Sequence, residues 1–265
     1  MSKGTLLFAG LLLFITAGAA SATTITFTGS ESDFTSQGVS PLQDDGIDTE
    51  FLCGGGGFQG ESNHPLDIGR VYLANDATHL YLGMQYDRVC LCEMNLGWAF
   101  DVAPGGSTSD PLGRQIDWIN APSPPDVIVY DVIPTTCDNS NREVLFQADG
   151  AGGWATVTDG PNALGIVDPD GGSFVELRIP IELVQLNLTS CDPIRVEFWT
   201  TREGTTKPAF DMVANDAEQR STPSGTQFDV PPAQPSLPST YLVYMPECPT
   251  PAQAGSWGRV KTMYR

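Results

Sequence analysis

Basic side chains are scarce in this chain: 13 lysines and arginines stand against 32 aspartates and glutamates, a formal net charge of −19. That balance repels phosphate backbones and anionic lipid surfaces, so nucleic-acid binding is excluded as a function class. Histidine is scarcer still, with only His64 and His79. Signatures of catalysis are missing too: no G-x-S-x-G elbow, no H-E-x-x-H, no P-loop and no G-x-G-x-x-G following a strand. AGSWG at 254–258 misses the elbow by one residue. No enzyme class is therefore indicated, although spacing in sequence cannot reveal a pair of glycosidase carboxylates.

Long apolar runs are absent beyond the first residues. There, Lys3 precedes an apolar stretch from Leu6 to Ala17, and small residues follow to Ala20-Ser21-Ala22. This is the layout of a cleavable export signal with an A-x-A site, and the stretch is shorter than the roughly 20 residues of a spanning helix. Residues 1–22 are expected to be removed, leaving a secreted or cell-surface chain that is not transmembrane. Cleavage leaves 265 − 22 = 243 residues and a charge of 12 − 32 = −20. An even set of six cysteines, Cys53, Cys90, Cys92, Cys137, Cys191 and Cys248, favours disulfides over metal ligation in an exported chain. Six cysteines allow 15 pairings, which sequence does not choose among. Cys90 and Cys92 share a strand face, and separate partners are expected for them.

What is present is β-pattern. Val71-Tyr72-Leu73, a polar turn at 75–78 and His79 to Tyr86 form a hairpin with Leu80, Leu82, Met84 and Tyr86 on a dry face and His79, Tyr81 and Gln85 on a wet one. The alternation recurs from Met94 to Asp101, from Val175 to Ile179 and from Arg195 to Thr200, and Val127–Ile133 is rich in β-branched residues. Gly/Pro clusters at 54–57, 103–111, 121–125 and 168–172 separate these runs. The expected fold is all-β, an antiparallel β-sandwich of jelly-roll or immunoglobulin-like type, with one short helix over Pro180–Leu186. The sandwich domain is expected over residues 23–220. A proline-rich strap or linker follows over 221–240, and a final edge strand with a basic tail over 241–265.

The segments VYLANDATHLYLGMQYD, GWAFDV, GGSFVELRIPIELV, IRVEFWTTREG and FDMVANDA resemble the strand order of secreted β-sandwiches of the DOMON-like group, which includes the family-nine carbohydrate-binding modules. The likeness spans roughly Asp67 to Asp216 and is one of strand pattern. It implies ligand binding, of sugars between aromatic side chains or, in other branches, of haem, with calcium as a frequent support of the carbohydrate-binding members. The extra cysteines, the glycine loop before the hairpin and the proline-rich C-terminal segment depart from that pattern.

Sugar recognition needs an exposed aromatic face beside planar polar groups. Trp118 meets the need best, in RQIDWINAPSPP with Arg114, Gln115, Asp117 and Asn120 around it. Trp199 is second, since alternation puts it on the face of Arg195 and Glu197. For both, the competing reading is a tryptophan at a core edge. Trp98 reads as structural beside Leu96 and Phe100, and so does Trp154, in GGWATV, which resembles the family's position at the start of a mid-sandwich strand. Calcium would find hard oxygens at Asp168 and Asp170, although Asp-Pro and Asp-Gly are also ordinary turn formers. Asp211 and Asp216 are the second choice. Haem is not expected, for there is no C-x-x-C-H and His79 is accounted for as an outward strand residue. Asn187-Leu188-Thr189 fits a glycosylation acceptor. The expected function is non-catalytic binding of an extracellular glycan or surface component. A structural or adhesive surface protein is the alternative, and a glycan hydrolase comes third.

Overall fold

The computed structural model describes residues 23–44, 68–86, 94–133, 142–161, 163–167, 174–188, 190–202, 209–214 and 236–248. Residues 1–22, expected from the sequence to be an export signal, Cys53, Cys90, Cys92, Cys137, His64, Asp168, Asp170, Asp216, most of the proline-rich segment and the basic tail lie outside them.

Antiparallel strands dominate, in two sheets. One has four strands in the order β1 (Gln43–Asp44), β2 (Ile68–Asn75), β3 (His79–Tyr86) and β8 (Phe174–Pro180). The other runs β10 (Ala209–Met212), β9 (Ile194–Arg202), β4 (Met94–Asp101), β5 (Val127–Ile133), β6 (Arg142–Ala148) and β7 (Trp154–Pro161), and β11 (Leu242–Tyr244) also pairs with β9. The expected all-β sandwich with one short helix is what forms. Period-2 alternation explains why: Leu80, Leu82 and Met84 of the smaller sheet meet Leu96, Trp98, Phe100, Val129, Leu145 and Phe198 of the larger one in a single core. Trp98 sits there, as its alternation requires.

The turn between β2 and β3 is built by Asp76. Its carboxylate accepts the backbone N–H groups of Thr78 (2.6 Å) and His79 (2.8 Å) and the Tyr81 hydroxyl (2.6 Å). Burial works to raise this carboxyl, but those hydrogen bonds together outweigh it and hold the group below the ordinary carboxylate range.

Three features differ from the sequence expectation. The α-helix (α1) is Ser32–Thr35. Residues 181–185 form hydrogen-bonded turns instead, ended by Gln185 at φ 55°, a left-handed conformation that no right-handed helix continues through. Trp154 opens a strand at one end of the sheet order, not a central one.

The third difference decides where a site can lie. Neither outer sheet face is bare. On the smaller sheet, Phe27, Phe34 and Val39 of the N-terminal segment pack on Tyr72, Tyr81 and Phe174, so Tyr81 is buried, while His79 and Gln85 at the two ends of the strand stay half-buried. Gly83 makes room for this, since a Cβ there would lie 2.6 Å from both the Phe34 and Phe174 rings. On the larger sheet, the β4–β5 connection and the segment leading into β11 cover the outer face. A disulfide, Cys191–Cys248, ties the chain after β11 to the β8–β9 connection.

Candidate functional site

The outer face of the seven-stranded sheet is built from the odd positions of β4 and β9 and the even positions of β5 and β6. Gly97, Ala99, Ile128, Tyr130, Val144, Phe146 and Trp199 occupy it. Gly97 is required here. A Cβ at that position would lie 2.1 Å from Trp199 Cε2, so the indole of Trp199 rests on bare backbone.

The covering loop from Val102 to Asp126 is fixed by its own acids. Asp126 accepts the N–H groups of Val102 (2.9 Å) and Ala103 (2.8 Å), closing the loop's two ends together. Asp110 accepts those of Leu112 (2.9 Å) and Arg114 (3.0 Å), which curls the chain and turns the Arg114 side chain inward. Asp117 accepts from Ile119 (3.2 Å) and starts a single 3-10 turn over Trp118–Asn120. That turn presses Trp118 onto the sheet.

The result is an aromatic and guanidinium cluster. Trp118 and Trp199 meet edge-to-face with centroids 5.6 Å apart, and Tyr130 meets Trp199 the same way at 5.5 Å. The guanidinium carbon of Arg114 lies 4.4 Å from the centre of the Tyr130 ring, a cation–π contact. The Tyr130 hydroxyl donates to Asp110. Arg114 Nη1 stands 4.0 Å from Asp110 Oδ1, an ion pair too long for a hydrogen bond. Burial pushes the Asp110 carboxyl up, against the pull of its hydrogen bonds and of Arg114.

The structure thus brings Trp118, Trp199 and Arg114 together, but not as an exposed platform. Trp118 and Trp199 have 0% of their surface exposed, and the Arg114 side chain 4%. The expectation of an exposed sugar-stacking Trp118 is corrected on this point: the 3-10 turn that presses it onto the sheet and the segment above it remove it from solvent. Asp117 is half-buried and spent on its turn. Glu197 is buried and accepts the N–H groups of Phe198 and Ala214, both at 3.0 Å, fastening β9 to the chain after β10. Asp211 accepts from Ile68 N at 2.6 Å. Asp168 and Asp170 lie outside the described residues, and among the described residues no group of three or more His, Cys, Asp or Glu side chains could hold a metal ion.

Sequence reading missed Asn95, Asp110, Tyr130 and Tyr241. Asn95 sits one step from Gly97 on the same face of β4, fully buried. Tyr241 covers the cluster from above, its ring parallel to that of Trp118 at 5.9 Å and 3° and its hydroxyl on Ser123 O at 2.9 Å. Alternation in VIVYDVI could have assigned Tyr130 to this face. Nothing in the sequence signals Tyr241.

One property sets this cluster apart. Among the described residues nine buried side-chain polar atoms have no hydrogen-bond partner, and six of them are here: Asn95 Nδ2 and Oδ1, Arg114 Nε and Nη1, Trp118 Nε1 and Trp199 Nε1. Five of the six are N–H donors. A buried donor left unpaired costs about 1–3 kcal/mol, so a concentration of them in a structural core is a large penalty. An acceptor-bearing group among these rings would remove it.

Comparison of the sequence with models of known protein families and with curated proteins finds no match.

Proposed function

We propose that this chain is a secreted, non-catalytic binding module, and that its site is the outer face of the seven-stranded sheet around Trp118, Trp199, Arg114, Tyr130 and Asn95. The ligand class is a glycan. Five unsatisfied donors set between indole and phenol rings carry this reading. A sugar ring offers an apolar C–H face to aromatic side chains and a rim of hydroxyl acceptors to N–H groups. The export-type N-terminus and the resemblance of the strand order to DOMON-like sandwiches agree with it, and calcium at Asp168 and Asp170 belongs to the same proposal as a supporting ion.

The test is a glycan array followed by intrinsic tryptophan fluorescence, with and without calcium. Binding should shift the emission, and Arg114→Gln should weaken binding by about tenfold, the worth of one charge-assisted hydrogen bond. Silence towards every glycan on the array, in calcium and in chelator alike, would remove the proposal.

The coverage of both outer sheet faces by the chain's own segments favours a second reading, a stiff surface spacer with no small-molecule site. The two readings part at Arg114. In a spacer, Arg114→Gln changes stability and nothing else.

A further inference from the structure

We infer that the group this cluster takes is an acceptor-only anion, so that the glycan of the binding-module reading is an acidic one, bearing carboxylates or sulfate esters. The inference rests on that reading and narrows it. Hydrogen-bonding capacity decides the point. Of the cluster's six unpaired atoms five are donors, and the single acceptor is Asn95 Oδ1. A neutral sugar meets such a set badly. Each hydroxyl that accepts from an indole or guanidinium N–H brings a hydrogen of its own, which must then find an acceptor away from water. Once one such hydrogen has taken Asn95 Oδ1, the unpaired atoms offer no other acceptor. A carboxylate brings about four acceptor sites and no hydrogen to place, and a sulfate ester likewise accepts only.

The donors share one neighbourhood. Gly97 stands between Tyr130 and Trp199 in the sheet register, and Asn95, two residues along the same face of β4, stands between Val132 and Thr201. Arg114 lies over Tyr130, and Trp118 lies against Trp199. Among the four side chains that carry the unpaired atoms, Arg114 alone is ionised, and the acid beside it is committed elsewhere. Asp110 Oδ1 takes the N–H groups of Leu112 and Arg114, Oδ2 takes the Tyr130 hydroxyl, and Arg114 Nη1 stays 4.0 Å away. Burial, which pushes the Asp110 carboxyl up, weakens it further as a counter-ion. What remains is a guanidinium enclosed by aromatic rings with Nε and Nη1 unpaired. An anion there gains charge-assisted hydrogen bonds, about twice as strong as neutral ones.

The rest of the chain pushes the other way. A net charge of −19 repels an acidic glycan at long range, so the site would select at contact what the surface discourages at a distance. Salt tells the two apart. Exposed charges are screened beyond a Debye length of about 10 Å at 0.1 M, whereas a buried contact is screened little.

The experiment uses the full chain in chelator, which removes calcium bridges between acids. A glycan array holding uronic-acid, sulfated and neutral members comes first. Titrations followed by tryptophan emission then set hexamers of galacturonic and guluronic acid against their methyl esters, and a sulfated galactose hexamer against its desulfated form. The array hits should be acidic, and at least one acidic hexamer should bind about tenfold or more tightly than its neutral counterpart, the ratio one charge-assisted hydrogen bond gives. Which hexamer does so names the anion. Raising sodium chloride from about 0.02 to 0.5 M should speed association and leave dissociation nearly unchanged. Arg114→Gln should bring acid and neutral counterpart to equal affinity, and Arg114→Lys should restore part of the difference. The comparisons on the parent need no variant to fold. Hits that are all neutral, acidic hexamers that bind no better than their counterparts, or a folded Arg114→Gln that keeps the parent's preference overturn the inference and leave the binding-module reading standing. Association with acid that slows in salt assigns the contact to exposed cations such as Arg259 and Lys261, and overturns it too. Silence across the whole array ends the reading and the inference together.

Discussion

Glu176 shows how a single side chain couples the N-terminal segment to the sheet. It is fully buried on the outer face of β8, where Oε2 accepts the Gly29 N–H at 2.5 Å and Oε1 has no partner. Burial, with the nearby Asp33 charge adding to it, pushes its carboxyl up to about 8. The folded state therefore binds a proton that the unfolded chain releases near the ordinary glutamate value of about 4.3. Stability from this site is full below about pH 4.3 and is lost as pH rises towards 8. Glu176→Gln keeps the acceptor for Gly29 and removes the charge. The variant should melt with the parent near pH 4 and above it at pH 8 and beyond, each kcal/mol showing as about 2–4 °C in a chain of this size. Parallel melting profiles for the two proteins across that range would contradict a buried, protonated Glu176. Alternation along FVELRIP places Glu176 on the outer face correctly, but the same alternation predicts water there. The segment that excludes the water comes from 147 residues earlier in the chain, a distance no local pattern reports.

At the scale of elements, strands were legible and their covers were not. Strands β3, β4, β5, β8 and β9 all follow from period-2 alternation or β-branched content, because one face of each meets the shared core. The loop over the larger sheet is held by Asp110, Asp117 and Asp126 taking backbone N–H groups, and such turns carry no periodicity to read. For the same reason Trp118 looked exposed in its sequence context: a tryptophan among Arg, Asp, Asn and Pro is equally at home on a surface and at the anchor of a capping loop. The fit between β4 and its cover depends on Gly97. Gly97→Ala would drive a methyl group to 2.1 Å from Trp199 Cε2, and the indole would have to leave its seat. Overpacking of this kind costs about 1–3 kcal/mol, and the displaced Trp199 carries Trp118 and Tyr130 with it. Urea denaturation should show a lowered midpoint with an unchanged slope, and tryptophan emission of the folded state should shift to the red. A folded state with the parent's emission and midpoint would mean that Trp199 does not rest on Gly97.

For the whole molecule the governing quantity is the sign of its buried charge. Eight acids are buried among the described residues (Asp101, Asp110, Asp126, Asp131, Glu143, Glu176, Glu197 and Asp211), against one base, Arg114. Most of the acids whose hydrogen bonds are described serve as fasteners: Asp126 closes the β4–β5 loop, Glu143 holds Leu164 and Ile166, Glu197 holds Ala214, and Asp211 holds Ile68. Burial nonetheless pushes the carboxyls of Asp110, Asp126, Glu143 and Glu176 up. Each such group binds its proton more tightly folded than unfolded, so each withdraws stability as pH climbs from the carboxylate range through its folded value. Asp76 has the opposite sign, its contribution being lost only in strong acid. The surface adds to the trend, because a chain of net charge −19 repels itself more as its last protons leave. The melting temperature should therefore peak at mildly acidic pH, about 5, and fall steadily towards about 9. Salt separates the two causes. About 0.5 M sodium chloride screens the exposed charges and should recover part of the alkaline loss, whereas the part belonging to the buried carboxyls is beyond the reach of screening and should remain. Full recovery in salt would assign the whole effect to the surface. A profile that rose from pH 5 to 9 would mean that the buried acids are held as ions by partners stronger than the backbone N–H groups that fasten them.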